Sequence, residues 1–503
     1  MPWTRERLEQ AVRERLDGAR LIVVANREPY IHSFDGDDIR WTTPASGLTS
    51  ALDPVMRACG GTWVAHASGD ADRATSDNHG CVRVPPDRPA YTLKRVWLSE
   101  EEEQGYYYGF ANEALWPLCH VAYTRPRFDA RDWLQYRAVN RRFAKAVLEE
   151  VRDVPAIVFV QDYHFALLPR MLREARPDLV VVQFWHIPWP NRETFRVCPW
   201  QEEILDGLLG NDLLSFHARD HCNNFLDTVD RGIESRVDSE QSSVTRNGRA
   251  TLVQPHPISV DPEGIVALLP ADLAHAERRL RTRLRLRDEK LIVGVDRVDY
   301  TKGIPERFRA IDRLLELHPE LKATFCLIQI GAPSRTHIGT YRRLNDELRE
   351  LADEINWRHA TAEWRPIVFL NEHATPSEVF LLDRIATACV VTSLHDGMNL
   401  VAKEFVATRT DGRGVLVLSR FAGAARELGD ALLINPYAID ECAEAMRQAL
   451  TMSTEEQQQR MTLLRRQVED NNIFRWAGMV LSECGKIAQS RRLESKGFAG
   501  LTP

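Results

Sequence analysis

KLIVGVDRVDYTKG (290–303) decides the fold. Its first half is an almost unbroken apolar, β-branched run, and its second half is a charged turn. A strand that alternates apolar and polar residues is half buried; one that is apolar throughout is covered on both faces, as in a parallel sheet. The same pattern recurs outward from it. FCLIQIG (325–331), IVFLN (367–371), ACVVTS (388–393) and VLVLSR (415–420) follow, and LIVVAN (21–26), AIVFVQD (156–162), LVVVQFWH (179–186) and LLSFH (213–217) precede. Helical patterns lie between the runs: in ERFRAIDRLLELHPEL (306–321), Phe308, Ile311, Leu314 and Leu315 share one face. Strand, helix and strand repeating on both sides of about residue 260 predict two doubly wound α/β domains.

The boundaries follow from the punctuation. Proline-rich QPHPISVDPEG (254–264) marks the join, just after a hairpin signal in which Asn247-Gly248 separates SSVTR from RATL. The predicted domains are 1–258 and 259–472. Residues 473–503 form a C-terminal helix and tail whose docking the sequence leaves open, with fraying expected from about Ser490. Leu8, Val12 and Leu16 predict a short amphipathic N-terminal helix. SEEEEQ (99–104) predicts a helix start capped by Ser99, with Glu102 closing a capping box. The arginine-leucine run RRLRTRLRLR (278–287) reads as a solvated helix rather than a nucleic-acid patch, because the 503-residue chain carries a net charge of −7.

The nine cysteines are scattered without a CxxC pair, which suits buried, reduced thiols. The charged N-terminus lacks the pattern of an export signal, and no apolar run reaches the ~20 residues of a membrane span. A cytoplasmic protein without membrane or nucleic-acid partners is expected.

Several strand ends carry groups suited to chemistry. A doubly wound domain binds its ligand beyond the carboxyl ends of its strands. After LIVGV, Arg297 and Lys302 would enter that crevice, where two fixed cations suit a diphosphate leaving group; in isolation the motif reads equally as a surface turn. After ACVVTS, HDGMNLVAKE (395–404) offers Gly397 for a tight turn and a helix start at Met398 to Val401. Asp396 and Asn399 could bind sugar hydroxyls, and Glu404 a ribose; a capped helix with Glu404 in a salt bridge is the plainer alternative. In the first half, Asp162 of QDYH and His186 of FWHIPWP end strands and would sit in a mouth facing the second domain. DGD (35–37) and DAD (70–72) match the short pattern by which other sugar transferases hold a divalent ion, but neither supplies a ligand set.

Together, DRVDYTKG, FWHIPWP, QDYH, HDGMNLVAKEF and VLSRFAGAARELGDALLINPY resemble the trehalose-6-phosphate synthase family, in family order and over about residues 20 to 485. The resemblance implies a GT-B fold, two Rossmann-like domains facing across a cleft. It implies a metal-independent, retaining transfer of glucose from UDP-glucose to glucose 6-phosphate, giving α,α-trehalose 6-phosphate and UDP. No cofactor is implied, a separate phosphatase would act on the product, and a homo-oligomer is compatible with it. In the first domain, Arg27 of NREPY would hold the acceptor phosphate with Arg335 of GAPSR from the second. Tyr107 and Trp116 would line the acceptor pocket, and Asp162 would bond the acceptor sugar. Gly47 of PASGL matches a loop over the donor. Arg297 and Lys302 match the diphosphate clamp; His186, Asp396 and the turn Met398, Asn399, Leu400 match donor-glucose contacts, and Glu404 the ribose contact. Asp162, His186, Arg297, Lys302 and Asp396 would form the catalytic set. Ser46, His66 and His395 depart from the family pattern. NREPY is also similar to the glucosylglycerol-phosphate synthases, whose acceptor is glycerol 3-phosphate. A catalytically silent sugar-phosphate sensor would have lost clamp or donor residues, and here all are present.

Overall fold

The computed structural model describes residues 3–15, 18–44 and 47–499, so Leu16 and Ser46 lie outside the described residues. The chain divides into two compact units. One contains the chain up to Ile258 together with the segment from Ile473; the other is Ser259–Asn472.

In the second unit six parallel strands, Lys290–Arg297, Phe325–Ala332, Ile367–Leu370, Ala388–Val391, Val415–Ser419 and Leu432–Ile434, lie in the spatial order 3-2-1-4-5-6 of their appearance. Chain order therefore reverses direction between the Lys290–Arg297 and Ala388–Val391 strands. At such a switch point the two flanking connections leave on opposite faces and open a crevice. Helix Ile304–Leu317 buries Phe308, Ile311, Leu314 and Leu315, the face its periodicity predicted. Their core partners include Ile292, Phe325, Leu327, Val390, Val417 and Met446. Arg307 of the same helix is also buried and pairs with Asp296 at 2.7 Å.

The first unit repeats the plan. Its parallel strands are Arg20–Arg27, Thr62–His66, Tyr91–Val96, Ala156–Gln161, Val180–Phe184, Leu213–Phe216 and Arg249–Pro255. They again reverse after the first, so the switch point lies between Arg20–Arg27 and Ala156–Gln161. Antiparallel strands close both edges of the sheet. The Asn247-Gly248 turn joins Ser243–Arg246 to Arg249–Pro255, with φ of 51° and 74°, the left-handed pair a type I′ turn requires. Ser99 and Glu102 form the expected capping box.

The C-terminal helix runs Ile473–Ala499 and belongs to the first unit. The helix continues past Ser490, and Arg491 donates to the carbonyl of Leu179 at 2.9 Å and pairs with Asp212. Trp476 anchors it, packing edge-on against Phe184 with centroids 5.1 Å apart and donating its Nε1–H to the His256 carbonyl at 3.1 Å.

Candidate active site

In the first unit, Arg27 and Asp162 stand at the two strand ends that flank the switch point. Arg27 donates from Nη2 to the Tyr107 hydroxyl at 3.3 Å. Tyr107 lies in a π-helix, Gln104–Leu115, and stacks on His164 with centroids 5.7 Å apart and planes 14° apart. A π-helical turn is rare and is found most often at functional sites. Trp116 is buried, 4.0 Å from the His120 ring and 5.8 Å from that of Tyr163. Asp162 has φ 70° and ψ −179°, a region almost reserved for glycine. Its Oδ1 holds the turn by accepting from the backbone N–H groups of Tyr163 at 2.9 Å and His186 at 3.1 Å. Strained backbone of this kind costs about 1–3 kcal/mol and persists only where its surroundings hold it, as these two bonds do here.

Behind Arg27 lies a buried charge cluster that sequence reading missed. Arg95 pairs with Glu28 at 2.9 Å and with Asp72 at 2.7 Å, and its Nη2 is 2.7 Å from Nδ1 of His32. Glu28 also accepts from the N–H and hydroxyl of Ser68. Burial pushes the Glu28 carboxyl up to about 7. Burial also works against charge on Asp72, but hydrogen bonds from His32, Glu28 and the Gly69 backbone outweigh it and hold that carboxyl low. The cluster ties the NREPY segment to two neighbouring elements. It also gives the DAD stretch a structural role: Asp72 is an Arg95 partner, and Asp70 accepts from the Phe34 backbone at 3.0 Å. DGD forms the turn between strands Ile31–Asp35 and Asp38–Thr42. His66 sits opposite Arg27 in the sheet register, where burial pushes its imidazole down to about 4, so it is neutral at physiological pH.

In the second unit the two sequence motifs meet. Gly303 has φ 62°, and a Cβ there would lie 2.0 Å from the Thr392 carbonyl, so only glycine allows the loops to touch. Thr392 donates to the Gly303 carbonyl at 2.7 Å, and the Leu394 N–H to the Thr301 carbonyl at 2.8 Å. Across this seam Lys302 Nζ lies 2.5 Å from Asp396 Oδ2. Asp396 also accepts from Ser393 and from Asn399 Nδ2, each at 3.3 Å. The FAGAAREL stretch braces the turn from behind: Gly423 N–H donates to the Asp396 carbonyl and Ala424 N–H to that of Met398. Arg297 ends its strand partly exposed. Asp299, against the effect of burial, is held below its usual range by Arg335, then Arg297.

The helix expected to start at Met398 starts at Leu400, and Asn399 is its N-cap, its Oδ1 accepting from the Ala402 N–H at 3.1 Å. The Asn399 side chain thus serves the cap and also bonds to Asp396. Met398 is 1% exposed, so what it offers a ligand is backbone. Arg335 is buried within the second unit, its Nη1 3.0 Å from Asp299 and 2.5 Å from the Tyr341 hydroxyl. Glu404, by contrast, keeps a partly exposed edge and forms no salt bridge among the described residues; burial pushes its carboxyl up to about 7. Gly47 begins helix Gly47–Cys59. Among the described residues no group of three or more His, Cys, Asp or Glu is arranged to hold a metal ion.

The glycosyltransferase family 20 model matches residues 19–486. The α,α-trehalose-phosphate synthase (UDP-forming) of Schizosaccharomyces pombe is 34% identical over 478 residues, covering 92% of this chain and 88% of its own. A structure described as trehalose-6-phosphate from E. coli bound with UDP-2-fluoro glucose superposes with a TM-score of 0.82 at 32% identity, over 93% of this chain and 99% of that one. A UDP-forming α,α-trehalose-phosphate synthase from Burkholderia xenovorans, in complex with glucose 6-phosphate, gives 0.81 at 32% identity, over 92% and 100%. These structures share the two Rossmann-like units of the GT-B fold seen here, and with the family model matched over nearly its whole length, the chain belongs to glycosyltransferase family 20.

Proposed function

We propose that this protein transfers glucose from UDP-glucose to glucose 6-phosphate with retention, giving α,α-trehalose 6-phosphate and UDP. The observation that carries the proposal is the seam at the second unit's switch point, where Lys302 meets Asp396. It joins a cationic strand end to a sugar-binding turn, as a nucleotide-sugar donor requires. The bond between the donor C1 and the diphosphate breaks as C1 joins the acceptor hydroxyl oxygen on the same face, and the hydroxyl proton passes to the leaving phosphate. Arg297 and Lys302 take up the charge that grows on the diphosphate; preorganised charges of this kind act without further reorganisation. Asp396 and the backbone of the Met398–Leu400 turn hold the glucose, and Glu404 accepts from the ribose hydroxyls. From the first unit His186 contacts the donor sugar, while Arg27, Tyr107, Trp116 and Asp162 frame the acceptor. Nine free cysteines suit a reducing, cytoplasmic compartment, and no helix among the described residues is long and apolar enough to cross a membrane. A separate phosphatase would act on the product.

A second acceptor, glycerol 3-phosphate, stays open because of the NREPY segment and of His66, which stands opposite Arg27 in the register. Arg27 serves either phosphate. A pocket that hydrogen-bonds hexose hydroxyls leaves buried groups unpaired when glycerol 3-phosphate enters, and so penalises it. The test is kcat/KM for both acceptors at fixed UDP-glucose, read by UDP release. Preference for glucose 6-phosphate supports the proposal; preference for glycerol 3-phosphate replaces the product and leaves the donor chemistry.

A further inference from the structure

Strands Val180–Phe184 and Leu213–Phe216 run parallel with Val182 opposite Leu213 and Phe184 opposite Ser215. Extending that offset beyond the strand ends sets His186 beside His217. Their rings are 4.7 Å apart, with Nε2 of His217 3.2 Å from Nδ1 of His186. His217 is 4% exposed, and Phe184 packs edge-on against it at 4.9 Å. The other ring nitrogen of His217, Nδ1, accepts from the backbone N–H of Ile258 at 3.4 Å.

A backbone N–H can only donate, so Nδ1 of His217 carries the lone pair. Neutral His217 then has its proton on Nε2. That proton points at Nδ1 of His186, which must accept it. Neutral His186 therefore carries its own proton on Nε2. The backbone of His186 is held as well, by its N–H bond to Asp162.

We propose that His217 is a positioning residue whose hydrogen-bond relay, from the Ile258 N–H through His217 to His186, fixes His186 as an Nε2–H donor. Its consequence for catalysis rests on the reading of His186 as a donor-sugar contact: a fixed donor recognises a sugar hydroxyl oxygen in one orientation, and a ring that exchanges tautomers does so part of the time.

The test is ring-nitrogen NMR of the full chain labelled with ¹⁵N-histidine, which separates the tautomers by the shifts of the two nitrogens. The His186 signals are identified by their loss in His186→Asn. Wild type should show His186 protonated on Nε2. In His217→Gln the amide oxygen can accept from Ile258 and the amide nitrogen can donate to His186, so the tautomer should persist and activity with it. His217→Leu removes the Nε2–H that donates to Nδ1, so the signals should move toward a mixture, and KM for UDP-glucose should rise up to about tenfold, the worth of one neutral hydrogen bond. His186 protonated on Nδ1 in wild type overturns the proposal even if a variant fails to fold, and so does an unchanged tautomer in a folded His217→Leu. If the tautomers behave as stated but KM for UDP-glucose is unmoved in both His217→Leu and His186→Asn, the relay stands and the donor-contact reading of His186 fails.

Discussion

Replacing Lys302 by methionine keeps the aliphatic stem and removes the charge. Two consequences separate. The first is structural: Lys302 and Asp396, 13% and 11% exposed, form a pair 2.5 Å long. Stranding one partner of a fully buried pair costs about 3–5 kcal/mol; residual exposure and the remaining bonds from Ser393 and Asn399 bring the expectation to about 2–3 kcal/mol. In a domain of this size that lowers Tm by roughly 5–10 °C. The second is chemical: losing one preorganised contact to the developing charge on the diphosphate costs about 2.7–4 kcal/mol, a hundredfold to a thousandfold in kcat. The assay pairs thermal unfolding with UDP release at saturating substrates, in Lys302→Met and in the double variant with Asp396→Asn. The double variant removes both charges, so it should regain most of the lost Tm while its activity stays low. A folded Lys302→Met protein with near-normal turnover would refute the clamp and leave Lys302 as a counterion to Asp396.

The remaining predictions concern the other charged groups. Arg297→Ala should reduce kcat a hundredfold to a thousandfold in a protein that still folds, and activity of the intact enzyme should survive excess EDTA; loss on chelation that manganese restores would contradict the two-cation clamp. Because the Glu404 carboxyl is pushed up to about 7, it is protonated below that pH and ionised above it. A ribose-accepting role thus makes KM for UDP-glucose fall as pH rises through about 7, and Glu404→Gln should flatten that profile. Arg95→Leu leaves Glu28 and Asp72 buried without their cation and should destabilise the fold by about 3–5 kcal/mol in denaturant unfolding; a change within error would remove the cluster as a support of the NREPY segment.

The strands legible in the sequence are those whose burial is wholly apolar. The nine runs quoted above each coincide with a strand. Tyr91–Val96 was not read, because Lys94 and Arg95 interrupt it; both are buried through long-range partners, Glu149 for one and Glu28 with Asp72 for the other. Thr62–His66 is short and opens on threonine, and the Ile31–Asp35 hairpin lies off the main sheets with an exposed partner strand. The motifs at strand ends were readable because chemistry and topology coincide there, but the strand order that brings Lys302 to Asp396 is non-local. Asn399 carries two readings for a local reason: an asparagine before a helix is as good a cap as a sugar ligand. His217 gave no motif at all. Its signal is its register position, two residues past Ser215 as His186 is two past the paired Phe184, and that becomes visible only once the register of the two strands is known.

The product itself decides whether glucose passes to the sugar phosphate with retention. With purified protein, UDP-glucose and glucose 6-phosphate, the reaction is followed by proton NMR while UDP is measured in parallel. One non-reducing disaccharide phosphate should form per UDP released, with both anomeric protons in the α configuration. A β-configured glucosyl centre, or UDP release with free glucose and no disaccharide, would contradict it.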